Sequence, residues 1–211
     1  MAVVRPGQVD ASADPPLRQV RARYDDHSIT VYQAYSEAIA VPAAAAGRFV
    51  PPFKLDRMTW IKPSFLWMMY RCGWATKPGQ EHVLAIRLSR QGFERALAQA
   101  CLSSFDPEVY ADHEVWRRIK ERSPVRVQWD PERTPDLAPL PWRSIQIGLG
   151  RDVVRDYVEE WTLSIDDITD EVRSIHDGGI VDPSRLPDER PYPLPELLRR
   201  RVAATPNPPT T

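Results

Sequence analysis

Proline placement governs what this chain can build. Its 22 prolines among 211 residues are about twice the usual share of roughly 5%. They gather at borders: Pro51-Pro52, Pro139, Pro141, and Pro191, Pro193 and Pro195. Proline fixes φ and has no N–H to give to a helix or ladder, so the elements between these borders must be short and the loops many. Residues 1–16 carry Pro6, Gly7, Pro15 and Pro16 with few large apolar groups, and residues 199–211 end in "TPNPPTT". Both ends read as flexible tails around one domain over residues 17–198. A hydrophobic content of 42% is ample for a single core.

Between the tails the apolar pattern alternates between period two and period 3.6. "SITVYQAY" alternates and is rich in β-branched and aromatic residues, so it reads as a strand; Ser36 and Gly47 then bracket a short helix with Pro42 inside it. "MTWIKPSF" reads as a strand broken at Pro63, "SFLWMMYRCGWA" as a helix, "EHVLAIRLS" as a strand and "RQGFERALAQACLSSF" as an amphipathic helix. Farther on, "EVYADHEVWRRIKERS" reads as helix, "PVRVQWD" and "RSIQIGLG" as strands, and the stretch from Arg151 opens as a helix. This interspersion predicts an α+β fold with a mixed, mostly antiparallel sheet and short helices. The β-α-β alternation and glycine fingerprint of a doubly wound dinucleotide-binding fold are missing.

Several chemistries are excluded by what the chain lacks. It has no GxxxxGK[ST] or GxGxxG phosphate cradle and no GxSxG nucleophile elbow. His27, His82, His113 and His176 show neither HExxH nor HxH spacing, so no metal is expected. Cys72 and Cys101 form no CxxC pair, which argues against a disulfide framework and fits a reducing cytoplasm. No stretch approaches the roughly 20 apolar residues of a membrane helix, so no membrane association is expected. With 28 basic and 29 acidic residues, bulk charge names no polyanionic partner. Asp25 and Asp26 read as a turn leading into the strand at Ile29.

The run "RMTWIKPSFLWMMYRCGWATKPGQ" concentrates three tryptophans and three methionines with two arginines and two lysines. Such apolar mass at helical spacing is ordinarily core. Lys62 and Ser64, however, flank Pro63 where a strand gives way to a helix, beside N-terminal amides that favour an anion. There Trp60 could stack on a flat ring while Lys62 supplies a phosphate counter-charge; alternatively Trp60 is core and Lys62 a rim charge. Two other stretches put polar groups into strands. In "ARYDDHSITVYQAY" alternation sets Gln33 and Tyr35 on one face and Tyr32 on the other, with Arg23 nearby. In "PLPWRSIQIGLG" Arg143 and Ile145 share one face, Ser144 and Gln146 the other. A glutamine inside a strand is an amide that needs partners, either the protein's own or a ligand's.

Taken together, "RYDDHSITVYQAY", "RFVPPFKLDRMTWIKPSFLWMMYRCGWATKPGQ", "RVQWDP" and "RSIQIGL" resemble the bacterial family catalogued as domain of unknown function 4291, from about Arg18 to Pro195. More remotely, the order of strand "VYQAY", helix, "AGRFVPP", "MTWIKPS" and "VLAIRLS" is similar to the split β-sheet core of ADP-ribosyltransferase-like domains. That likeness implies nicotinamide adenine dinucleotide (NAD) as substrate, held at three sheet positions. Gln33 stands where His or Arg is usual, the Trp60 to Ser64 run forms the second motif, and Gln146 stands where Glu is usual. It thereby implies Gln33 and Gln146 as catalytic positions, Arg23, Lys62 and Arg143 on phosphate, Trp60 and Tyr32 as stacking surfaces, and Ser64 as part of the cofactor site. With glutamine at position 146, the cationic sugar of the transfer reaction would need an acid such as Asp25 or Asp26.

The expected function is a transferase of the ADP-ribosyl type, or a relative acting on a related nucleotide, with RNA or protein as acceptor. The alternatives are a single-stranded nucleic-acid module using the same basic and aromatic wall, and a structural or partner-binding domain whose aromatic run is core.

Overall fold

A computed structural model of the chain describes residues 14–150, 152–176 and 179–206, with Asp152 by its backbone alone. Most of the expected N-terminal tail, residues 1–13, and the last residues, 207–211, lie outside the described residues. The elements are β1 (Arg21–Ala22), β2 (Ser28–Tyr35), α1 (Glu37–Ala46), β3 (Thr59–Ile61), α2 (Phe65–Cys72), β4 (His82–Ser89), α3 (Arg90–Ala98), β5 (Ala100–Leu102), α4 (His113–Arg122) and β6 (Val125–Arg133). There follow β7 (Pro139–Leu149), α5 (Asp152–Asp156) running into a π-helical turn (Tyr157–Trp161), β8 (Thr162–Asp167), α6 (Thr169–Ile175), β9 (Arg190–Pro191) and α7 (Glu196–Arg201). The longest of them, β7, has 11 residues and takes in Pro139 and Pro141, which the sequence reading placed at a border.

The strands form an α+β arrangement of mixed, mostly antiparallel sheets. One sheet runs β2-β4-β8, a second β3-β7-β6-β5, and β1 pairs with β9. Every pairing is antiparallel except β5 with β6. β2 lies along β4 from Ser28 opposite Ser89 to Tyr35 opposite His82. Its pleat sends Ile29 and Val31 into the main core with Leu84, Ile86, Leu88, Phe93 and Leu97, while Tyr32 joins a second cluster under α2 with Phe65, Met68, Met69 and Cys72. Cys72 and Cys101 are both buried free thiols. Gly47 takes the left-handed conformation (φ 64°) that ends α1, the position the sequence assigned to it.

Besides α4, which starts at His113 rather than Glu108, and β7, which starts at Pro139 rather than Arg143, three boundaries differ from the sequence reading. The helical pattern of "RQGFERALAQACLSSF" stops at Ala98, because Ala100, Cys101 and Leu102 pair with β6 and are all buried; a tertiary partner overrides local periodicity. The helix from Asp152 gives way to β8, which completes the first sheet against β4. The domain also runs past residue 198. Val202 is fully buried and its carbonyl accepts Trp129 Nε1–H at 2.7 Å, and Thr205 N–H donates to Arg18 O at 2.8 Å. Residues 199–205 therefore belong to the fold rather than to a tail. Among the described residues no helix is long and apolar enough to cross a membrane.

Candidate functional site: a cation-lined cleft at a fork between sheets

The two larger sheets meet at one backbone bridge and then part. Tyr32 N–H donates to Lys62 O at 2.7 Å, and Lys62 N–H donates to Tyr32 O at 3.3 Å. Beyond this bridge β2 stays with β4 and β3 follows β7, and a cleft of about 540 Å³ opens between them.

Its floor follows from register. Trp60 lies opposite Gly148, and Gln146 opposite Gln128. Paired residues share a face and neighbours alternate, so Trp60, Gln146 and Gln128 face the cleft while Ile61, Ile147 and Val127 enter the core. Gly148 is a requirement of this floor. A Cβ there would come within 2.8 Å of Met58 Sδ and 2.9 Å of Trp60 Cζ2, so a bare backbone is what lets Trp60 lie across β7. Behind the two glutamines sits Asp130, which accepts Gln146 Nε2–H at 2.6 Å and Gln128 Nε2–H at 2.8 Å.

Gln33 stands at the apex and is only 3% exposed. Its Nε2 reaches Thr59 Oγ1 at 2.7 Å, Tyr35 Oη at 2.9 Å and Trp60 O at 3.1 Å, and its Oε1 accepts Tyr157 Oη–H at 2.6 Å. Two amide protons already serve three acceptors, so the amide is satisfied by the protein itself. Burial pushes the Tyr35 phenol up to about 12 and raises Tyr157 as well, so both hydroxyls keep their protons in this network.

Lys62 is 6% exposed, lines the cleft, and donates from Nζ to Trp60 O at 3.1 Å. The amine lies 5.4 Å from the centroid of Trp67. Burial, reinforced by the charge of Arg71, brings its pKa down to about 7 against the opposing pull of Asp130. Among the described residues it joins no ion pair. Lys54, Arg57 and Arg71 complete the positive lining, and among the described residues no Asp or Glu belongs to it. All three are exposed and, like Lys62, stand outside the ion pairs of the described residues.

The residues singled out in the sequence divide. Gln33, Trp60, Lys62 and Gln146 come together on the cleft. Tyr32 does not: it points to the opposite face of β2, is 2% exposed, and packs edge-on to Phe65. Ser64 caps α2 by accepting Trp67 N–H at 3.1 Å and donates to Glu132 Oε1 at 2.9 Å. The place at this helix start where an anion is expected is taken by the chain's own Glu189 carboxyl, whose Oε1 accepts Phe65 N–H at 2.7 Å. Arg143 donates to Trp129 O at 3.1 Å on the face away from Gln146. Arg23 is exposed between β1 and β2, outside the cleft lining. Asp25 accepts His27 N–H at 2.8 Å and Ser28 N–H at 2.7 Å, bonds that hold its carboxyl well below the usual range, and neither it nor Asp26 lines the cleft.

Sequence reading missed Arg57, Arg71, Gln128 and Asp130. Arg57 opens the tryptophan-rich run already noticed, and Arg71 lies within it. Gln128 and Asp130 are the polar members of "PVRVQWD", and only the pairing of β6 with β7 brings them to Gln146. Among the described residues no group of three or more His, Cys, Asp or Glu side chains is arranged to hold a metal.

Fold and site together define an α+β protein with a cation-lined cleft at a fork between two sheets. The chain belongs to the family described as Domain of unknown function (DUF4291), which it matches over residues 19–192. No curated protein matches it at a significant level.

Proposed function

We propose that the cleft binds NAD or a related phosphorylated nucleotide. The observation that carries this is an excess of basic groups: Lys54, Arg57 and Arg71, with Lys62, line the cleft, and among the described residues no carboxylate does, the nearest being Asp130 behind the two glutamines. Guanidinium forks match phosphate oxygens. Trp60 offers a flat apolar surface to a base or nicotinamide ring, and Gln128 and Gln146 carry amides of the kind that read ring edges. A volume of about 540 Å³ falls within the roughly 300–1,000 Å³ of small-molecule sites, which suits one nucleotide or dinucleotide better than a nucleic-acid strand. The likeness to ADP-ribosyltransferase-like domains favours NAD among the nucleotides.

Breaking the bond from nicotinamide to ribose leaves a cationic sugar that needs a negative partner. Asp130, clamped by Gln128 and Gln146, is the acid we assign to that role; Asp25 is committed to its turn. The test is a thermal-shift titration with NAD, ADP-ribose, ATP and a short single-stranded RNA, repeated with Arg57→Ser and Arg71→Ser. Stabilisation by the dinucleotide that both substitutions weaken is the expected result, and released nicotinamide would then be assayed as the mark of transfer. A shift with RNA alone, falling steeply with salt, would favour the nucleic-acid module. No shift with any ligand would leave a structural role.

A further inference from the structure

The chain has four lysines, Lys54, Lys62, Lys77 and Lys120. Lys54 is exposed, Lys77 Nζ donates to Tyr70 O and Arg71 O on the surface, and Lys120 Nζ donates to Ser103 O. Lys62 differs from all of these in being buried while still opening on the cleft. The groups that face it are the Trp67 ring, the Arg71 guanidinium and the Cys72 thiol from α2, the Trp60 carbonyl from β3, and the Asp130 carboxylate from β6. Burial raises the Cys72 pKa, so that thiol stays protonated and brings no charge. The Trp60 carbonyl, the Trp67 face and the Asp130 charge favour the ammonium form, but burial and the Arg71 guanidinium outweigh them, so a large share of the amine is free base near neutral pH. As a free base it is a nucleophile.

We propose that Lys62 is a covalent attachment point for a phosphorylated aldehyde: its amine condenses with the ligand's carbonyl while the phosphate rests on Arg57 and Lys54. The division of labour follows from position. Arg57 acts on Tyr35, on the wall of the cleft formed by β2, whereas Arg71 acts on Lys62 itself. A phosphate held by Arg57 and Lys54 leaves Lys62 for the carbonyl, and burial together with the Arg71 charge favours its free amine.

In the step itself the Nζ lone pair attacks the carbonyl carbon, a C–N bond forms, and the carbonyl π electrons move to oxygen. The resulting carbinolamine gives up its oxygen as water, with protons relayed through Asp130 or solvent, and leaves a protonated imine. One water is released and nothing is oxidised or reduced. This goes beyond the nucleotide site although it uses the same cleft, and it stands or falls separately.

The experiment uses the full-length wild-type protein and pyridoxal 5′-phosphate, a phosphorylated aldehyde, with cyanoborohydride added to fix any imine as a secondary amine. Peptide mapping then gives the rate at each lysine. Lys62 is expected to be modified about tenfold or more faster than Lys54, Lys77 or Lys120 at neutral pH, because an ordinary lysine is almost wholly ammonium there. Arg57→Ser and added inorganic phosphate should each slow the reaction at Lys62 and leave Lys77 and Lys120 unchanged. Labelling of Lys62 no faster than that of the other lysines, or indifferent to both Arg57→Ser and phosphate, would overturn the proposal. Because the reading is made on wild-type protein, it does not depend on whether a Lys62 variant folds. NAD binding without selective labelling sinks this proposal alone; selective labelling without nucleotide binding sinks the nucleotide site alone.

Discussion

Tyr32 and Lys62 exchange backbone hydrogen bonds of 2.7 and 3.3 Å, and this pair is the hinge point at which β2 and β3 separate. Everything placed in the cleft depends on the strands diverging immediately after it. Gln33, the next residue along β2, spans the opening by reaching Thr59 and Trp60 on the other side.

Gln33→Leu should therefore act on stability. It removes an amide bonded to Thr59, Tyr35, Trp60 and Tyr157; Tyr35 and Thr59 keep their mutual bond of 2.8 Å, but the buried Tyr157 hydroxyl loses its acceptor. The expected loss is about 2 kcal/mol or more, read from urea unfolding curves. A change below experimental error would mean that the network does not hold the fork.

Gly148→Ala tests the floor. The new Cβ would meet Met58 Sδ and Trp60 Cζ2 below 3 Å, so Trp60 must shift toward the cleft. We expect a stability cost of about 1–3 kcal/mol together with weakened nucleotide binding. Binding unchanged in a folded variant would remove Trp60 from the ligand surface.

How much of this was legible beforehand depended on the range of the interaction. β2, α1, α2 and β4 were readable because their patterns are local: the alternation of "SITVYQAY", the Gly47 stop, the helical spacing of "SFLWMMYRCGWA". The opposite orientations of Gln33 and Tyr32 were legible in the same alternation, yet the likeness to ADP-ribosyltransferase-like domains assigned both to one site. Gln146 and Trp60 could be nominated as polar or aromatic members of strands. Their meeting with Gln128 and Asp130 could not, since it depends on the register of β6 and β7. Likewise nothing around Phe65 announces Glu189, which occupies the start of α2 from far along the chain.

Glu189 also gives the protein a pH dependence of definite sign. Burial, with the Glu132 charge adding to it, raises the Glu189 carboxyl well above its ordinary value, against the Phe65 N–H and Arg21. A folded state that holds this proton more tightly than the unfolded chain loses stability as pH rises from the ordinary carboxylate range through the raised pKa. Glu189→Gln keeps an oxygen for Phe65 N–H and removes the charge. Its melting temperature relative to wild type should rise with pH across that window; a constant difference would contradict it.

Lys62 contributes a slope of the other sign. Its pKa is lowered from 10.5 to about 7 on folding, chiefly by burial, so between those limits the unfolded chain binds more protons and wild-type stability increases with pH. Below about pH 7 the penalty is complete and constant. Relative to Lys62→Met, wild type should gain stability between mildly alkaline and strongly alkaline buffer. Parallel profiles for the two proteins would mean that the amine titrates normally.

The central claim is that the unpaired cations of the cleft hold the phosphates of a nucleotide. The most direct measurement is isothermal titration of ADP-ribose into wild type and into the Arg57→Ser/Arg71→Ser double variant, with circular dichroism confirming that both are folded. Binding at one site, weakened by about tenfold or more for each arginine removed and further weakened by salt, is the expected result. Equal affinity in the two proteins, or no heat from wild type, would contradict it.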